Sequence, residues 1–191
     1  MDPNVLNQLR EVFARLENEV ELVYRPSTHE KQTELVDMLE SVADTSALLV
    51  ARKDGAESPV PSFEVLHGGR RTGISFRGIP GGHEFTSLVL AILNADGKGK
   101  LPDEALVRRI RRLRGPIRLR TYVSLSCENC PDVVQALNQF ALLNPNISAE
   151  MLDGGLFPDV IEERDIQGVP TVYLNGELFA NGKVDAAQLL D

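Results

Sequence analysis

Cys127 and Cys130 are the only cysteines in the 191-residue chain, and they stand three apart in the run Thr121-Tyr-Val-Ser-Leu-Ser-Cys-Glu-Asn-Cys-Pro131-Asp132. Two thiols at that spacing suit thiol–disulfide exchange. The alternation before them predicts a strand, and Val133, Val134, Leu137 and Phe140 after them predict a helix face, so the pair falls at a strand-to-helix turn. A free thiol titrates near about pH 8.5, but unpaired backbone N–H groups and the positive dipole end of a helix stabilise its thiolate. Cys127 is expected in the first turn of that helix as the attacking thiol. Cys130, about one turn further along, would close the disulfide that resolves the intermediate. Pro131 is tolerated in a first turn and Asp132 suits the dipole there.

Two blander chemistries compete with exchange. Zinc needs about four ligands, and beyond the cysteines the chain offers only His29, His67 and His83, none at finger-like spacing. The other is a structural disulfide or a pair of inert thiols, because a lone CxxC is a moderate signal.

The chain's formal charge of −8 argues against a general nucleic-acid binder. No apolar run is long enough for a membrane span. The start, Met1-Asp-Pro-Asn-Val-Leu, has no basic segment leading into an apolar core, so no secretory signal is expected. A cytoplasmic location follows as the expectation, and there a disulfide is usually transient and catalytic.

The elements that must position the cysteines come from periodicity. Helices are expected over residues 4–16, 30–42 and 83–94, with strands over 19–24, 47–51 and 58–66 and a fourth from Arg70 to near Arg77. A candidate linker, Ala95-Asp-Gly-Lys-Gly-Lys-Leu101, is followed by a short helix opened by Pro102. Strands 117–123 and 147–152 then flank the cysteine helix. A short helix over 158–164, a hairpin of strands 171–174 and 177–180 turning at Asn175-Gly176, and a last helix over 184–190 complete the pattern. Each half reads β-α-β-(α)-β-β-α. Leu35, Val36 and Leu39 align with Val133, Val134 and Leu137 at an offset of 98, and Val60-Pro61 aligns with Val169-Pro170 at 109. Two diverged copies of one unit are expected, over residues 1–97 and 98–191, with His29 and Gln32 opposite the cysteines.

These motifs resemble a thioredoxin-type domain in the second half: the CxxC at the strand-to-helix turn, and Gly168-Val-Pro-Thr171, similar to the loop whose cis proline faces the dithiol in that superfamily. The fold class implied is α/β, two fused thioredoxin-like folds, each a central mixed sheet flanked by helices. In this resemblance Val169 offers its backbone to a client chain and Pro170 limits access. More closely, Gly82-His-Glu-Phe-Thr-Ser-Leu-Val-Leu-Ala91, the CxxC segment through Asn138, and Gly168 to Gly176 resemble the N-terminal domain of the flavoprotein subunit of bacterial alkyl hydroperoxide reductase. That family implies a flavoprotein disulfide reductase module, carrying FAD and NADH, that reduces the dithiol, and a peroxiredoxin that the dithiol then reduces. It also implies a shared face between the halves that brings Glu84 near the dithiol as proton acceptor or tuner. Without the resemblance Glu84 is only an acid in the first turn of its own helix, and Glu84→Gln is expected to leave stability nearly unchanged. No Gly-x-Gly-x-x-Gly follows a strand, so FAD and NADH are expected on an upstream or fused module, with no cofactor or metal bound by this chain.

Arg108, Arg109, Arg111, Arg112 and Arg114 crowd one short helix of an acidic chain. A solvated face over Leu106, Val107, Ile110 and Leu113 explains them most simply; a docking patch for an acidic partner is the alternative. The expectation is therefore a thiol–disulfide oxidoreductase. A stand-alone glutaredoxin-like protein disulfide oxidoreductase with broad clients and a non-catalytic binding module remain as alternatives.

Overall fold

The computed structural model describes residues 1–190. Eight strands form one mixed sheet: β1 (Val20–Tyr24), β2 (Leu49–Lys53), β3 (Ser62–His67), β4 (Arg70–Arg77), β5 (Ile117–Val123), β6 (Ile147–Asp153), β7 (Thr171–Leu174) and β8 (Glu177–Asn181). Their order is β2-β1-β3-β4-β6-β5-β7-β8. The pairings repeat. β1 runs parallel to β2 and antiparallel to β3, which is antiparallel to β4; β5, β6, β7 and β8 repeat those relations in the same order. The two quartets join where β4 and β6 pair in parallel, from Ile74 beside Ala149 to Arg77 beside Leu152.

Local chemistry explains most of the elements. α1 (Pro3–Phe13) starts where the Asp2 carboxylate accepts a hydrogen bond from Asn4 N at 2.7 Å, with Pro3 where its missing N–H costs nothing. Gly68 and Gly69 turn β3 into β4, and Asn175 and Gly176 turn β7 into β8; all four have positive φ, as tight hairpin turns require. β3 begins at Ser62, later than residue 58, because Pro59 and Pro61 have no N–H to donate to a ladder.

α2 (Gln32–Ala43), α3 (Phe85–Ala95), α4 (Glu104–Arg112), α5 (Cys130–Leu143) and α7 (Ala186–Leu190) share one core with α1 and one face of the sheet. Leu22, Leu39, Phe76, Leu88, Ile110, Leu137 and Met151 are among its fully buried members. On the opposite face only α6 (Pro158–Glu163) packs, where Phe157, Val160 and Ile161 cover Tyr122, Leu152 and Tyr173. The middle of that face stays open as a groove of about 1110 Å³, where Arg77 and Arg120 both pair with Glu150.

Candidate active site

β5 is flanked on both sides by neighbouring strands, and its C-terminal end delivers the chain to Ser124, the first residue of the turn that carries the cysteines. Cys127 N donates to Ser124 O at 3.0 Å, closing the turn. α5 begins at Cys130, so Cys127 precedes the helix and does not lie in its first turn. Pro131 explains the late start: the residue before a proline is restrained, and the ring fits only in a first turn. The two cysteines form a disulfide with their Cα atoms 5.6 Å apart. Their surroundings differ. Cys130 is 0% exposed in the core, whereas Cys127 is half-buried and reaches the surface.

Opposite the disulfide lies the loop before β7. The Val169–Pro170 peptide is cis, and Cys127 Sγ lies 3.8 Å from the Val169 carbonyl oxygen. Pro170 is buried and Val169 half-buried. Beside this loop is a shallow cavity of about 400 Å³, bordered by Gln167, Gly168, Leu178 and Asn181. Leu178, on the edge strand β8, is 59% exposed.

Glu84 reaches the same region from the other half of the chain. It ends a single 3-10 turn, Gly82–Glu84, that leads into α3 and packs against α5. His83 N donates to Leu125 O at 3.0 Å, two residues before Cys127, and a Cβ on Gly82 would lie 2.6 Å from that oxygen. The turn is thus held against the cysteine loop. The Glu84 side chain is 0% exposed, unlike the exposed first-turn acid that its position in sequence suggested. Burial drives its pKa up to about 7, against the opposing pull of a hydrogen bond from Ser87 Oγ at 2.7 Å to Oε1. The second oxygen, Oε2, is buried with no partner among the described residues.

Other candidates fall elsewhere. His67 Nε2 bonds Asp96 at 2.8 Å and His29 Nδ1 accepts from Lys31 N, both away from the cysteines in the chain's other half. No group of three or more potential metal ligands exists among the described residues. The turns after β1 and β5 contain no glycine, so neither could cradle a dinucleotide pyrophosphate. No helix among the described residues is long and apolar enough to cross a membrane. Arg108, Arg111, Arg112 and Arg114 are exposed and make no ion pair among the described residues. Sequence reasoning missed Ser87 and Gln135, whose side chains meet at 3.2 Å beside Glu84. The one signal for them was a serine inside the otherwise apolar run from Phe85 to Leu93.

Comparison with known proteins gives this geometry a family. Residues 118–191 match the thioredoxin domain family. The whole chain is 40% identical to 36% of the alkyl hydroperoxide reductase flavoprotein AhpF of Pseudomonas aeruginosa. It is equally similar, at 40% over the same share, to a protein of Ferdinandcohnia aciditolerans named NADH dehydrogenase. A crystal structure of the NTD_N/C domain of alkyl hydroperoxide reductase AhpF from Enterococcus faecalis superposes with a TM-score of 0.92 at 32% identity, covering 100% of this chain and 98% of that one. The chain belongs to the family of AhpF N-terminal domains. It has the α/β architecture of that family, two fused thioredoxin-like folds, with the CxxC in the second. It spans about a third of the length of the two curated relatives, 36% of each.

Proposed function

We propose that the chain is a thiol–disulfide relay of an alkyl hydroperoxide reductase system, passing electrons from a flavoprotein disulfide reductase module to a peroxiredoxin disulfide. The observation that carries it is the disulfide at the start of α5, with Cys127 accessible beside Val169 and Cys130 sealed in the core, in a chain of the AhpF family. The reductase module, fused or separate, holds FAD and NADH. The two units are residues 1–97, without cysteines, and 98–191, with the dithiol, a division that the repeated strand pairing supports. The expected setting is the cytoplasm.

In the reduced state the Cys127 thiolate attacks one sulfur of the client disulfide, forming a mixed disulfide and releasing the first client thiolate, which takes up a proton. Cys130 then loses its proton and attacks Cys127 Sγ. The Cys127–Cys130 disulfide forms and the second client sulfur leaves as a thiol. Two electrons and two protons pass to the client. The unpaired N–H groups at the start of α5 favour the thiolate of Cys127. Val169 holds the client backbone beside the sulfur and buried Pro170 restricts approach, while the small cavity with Leu178 at its rim accepts an apolar client side chain. Glu84, neutral or ionised near pH 7, takes or returns a thiol proton during exchange.

Trapping tests the assignment of the two sulfurs. Cys130→Ala should retain a nucleophile and accumulate a mixed disulfide between Cys127 and an oxidised peroxiredoxin, seen as an intact adduct by mass spectrometry. Cys127→Ser should form none. An adduct in Cys127→Ser and not in Cys130→Ala would reverse the roles, and an adduct in neither would remove the relay.

A further inference from the structure

Glu84 is anchored through a chain of two hydrogen bonds that crosses from one half of the molecule to the other. Gln135 Nε2 donates to Ser87 Oγ at 3.2 Å, and Ser87 Oγ donates to Glu84 Oε1 at 2.7 Å. Glu84 and Ser87 are each 0% exposed. Ser87 lies on α3, three residues after Glu84, so the two meet across one helical turn. Gln135 lies on α5, five residues after Cys130. A serine hydroxyl has a single proton. Because Ser87 Oγ accepts from the Gln135 amide, that proton goes to Glu84.

The direction of this chain decides which carboxyl oxygen can change its protonation. Oε1 is occupied as an acceptor and Oε2 is buried without a partner among the described residues. We propose that Ser87 and Gln135 are positioning residues for Glu84, which together hold Oε1 and leave Oε2 as the one site of protonation, tethered to the helix that carries the cysteines. The proposal deepens the relay reading, on which the role of the Glu84 proton rests; the hydrogen-bond chain itself does not depend on it.

The surroundings isolate this effect. The titratable groups on elements packed against the 3-10 turn are His83 on the turn itself, Glu128 and Asp132 around the start of α5, and the two cysteines; α3 has none. His83, Glu128 and Asp132 are exposed. None enters the balance at Glu84, which is burial set against the Ser87 bond. Loss of that bond therefore acts on Glu84 directly.

The test is a pH titration of the Glu84 side-chain carboxyl carbon by ¹³C NMR in the oxidised protein, for wild type, Ser87→Ala and Gln135→Met. The Ser87 bond favours the carboxylate, so Ser87→Ala should move the Glu84 midpoint upward by about half to one pH unit. Gln135→Met should move it the same way by less, since it frees the hydroxyl and leaves it in place. Gln135 is only partly buried, so this variant keeps the test open should the α3 substitution disturb folding. In the reduced protein, the limb of the exchange rate with a small aromatic disulfide that disappears in Glu84→Gln should shift with the NMR midpoint. Unmoved midpoints would overturn the proposal, and a downward shift would do so equally, because it would mean that Glu84 donates to Ser87. If the midpoints shift as expected while no variant, wild type included, exchanges disulfides, the positioning role stands and the relay falls.

Discussion

At the scale of single residues, the burial of Glu84 has a consequence for stability as well as for proton transfer. Its folded-state pKa of about 7 lies above the ordinary carboxyl value of 4.5, so the folded protein binds this proton more tightly than the unfolded chain does. The stabilisation is complete below pH 4.5 and is lost as pH rises through about 7. Its full size is roughly 3 kcal/mol, at about 1.4 kcal/mol per unit, as an upper figure. Glu84→Gln should remove this loss. In urea unfolding, wild type should lose stability between about pH 4.5 and 7.5 relative to the variant, with the gap flat above that range. Parallel pH profiles would show that Glu84 is not titrating in the fold. This replaces the expectation of a neutral substitution, which assumed an exposed acid.

At the scale of elements, a carboxylate fastens the end of α3 to the entry of β1. Asp96, with a side chain that is 0% exposed, accepts from Glu17 N at 2.7 Å, Asn18 N at 3.2 Å, Asn18 Nδ2 at 2.9 Å and His67 Nε2 at 2.8 Å. Desolvation pushes its pKa up, but these four bonds overcome it and hold the group at about 2. The folded pKa lies below the ordinary 3.8, so this stabilisation is present above about pH 4 and disappears as pH falls toward 2. Asp96→Ala should cost about 2–4 kcal/mol in chemical denaturation at pH 7, because it orphans buried donors as well as removing bonds. A cost under about 1 kcal/mol would show that water replaces the carboxylate. The α4 arginines make the opposite prediction. Arg108 and Arg112 stand four apart, both exposed and neither ion-paired among the described residues. Arg108→Glu should replace a repulsion by a favourable pair and stabilise the protein by about 0.5 kcal/mol at low salt, an effect that salt should erase.

At the scale of the whole molecule, function requires the two quartets of strands to stay joined, since Glu84 comes from one half and the cysteines from the other. The joint is short, four residue pairs of β4 against β6. It is closed by Gly73, at φ +86, where a Cβ would stand 2.8 Å from Ile147 O and 3.3 Å from Ala141 Cβ. Gly73→Ala thus combines a left-handed backbone with a clash against a neighbouring strand. It should destabilise the protein by at least about 2 kcal/mol and lower the melting temperature by several degrees, with the exchange rate falling as the Glu84 turn loosens from the cysteine loop. A melting temperature within a degree of wild type would show that the joint yields freely.

The parts legible in the sequence are those set by neighbours along the chain. The cysteine turn, the Asn175-Gly176 hairpin and the Asp2 cap depend on residues within a few positions of one another. The internal repeat was legible for the same reason. At the offset of 98, α2 starts at Gln32 where α5 starts at Cys130, because each unit repeats one local pattern. The family likeness rested on such local motifs. What only the tertiary structure decided involves residues far apart in the chain: the parallel pairing of β4 with β6, the burial of Glu84 beneath an apolar helix, and the 48-residue reach from Gln135 to Ser87. The position of Cys127 outside its helix belongs with these, since periodicity marks a helical face but not the residue at which the first hydrogen bond closes. Periodicity and turn chemistry act over one or two turns, so they specify the elements and the nucleophile. The protonation of the group beside that nucleophile is set by desolvation, which exists only once the two halves have closed around it.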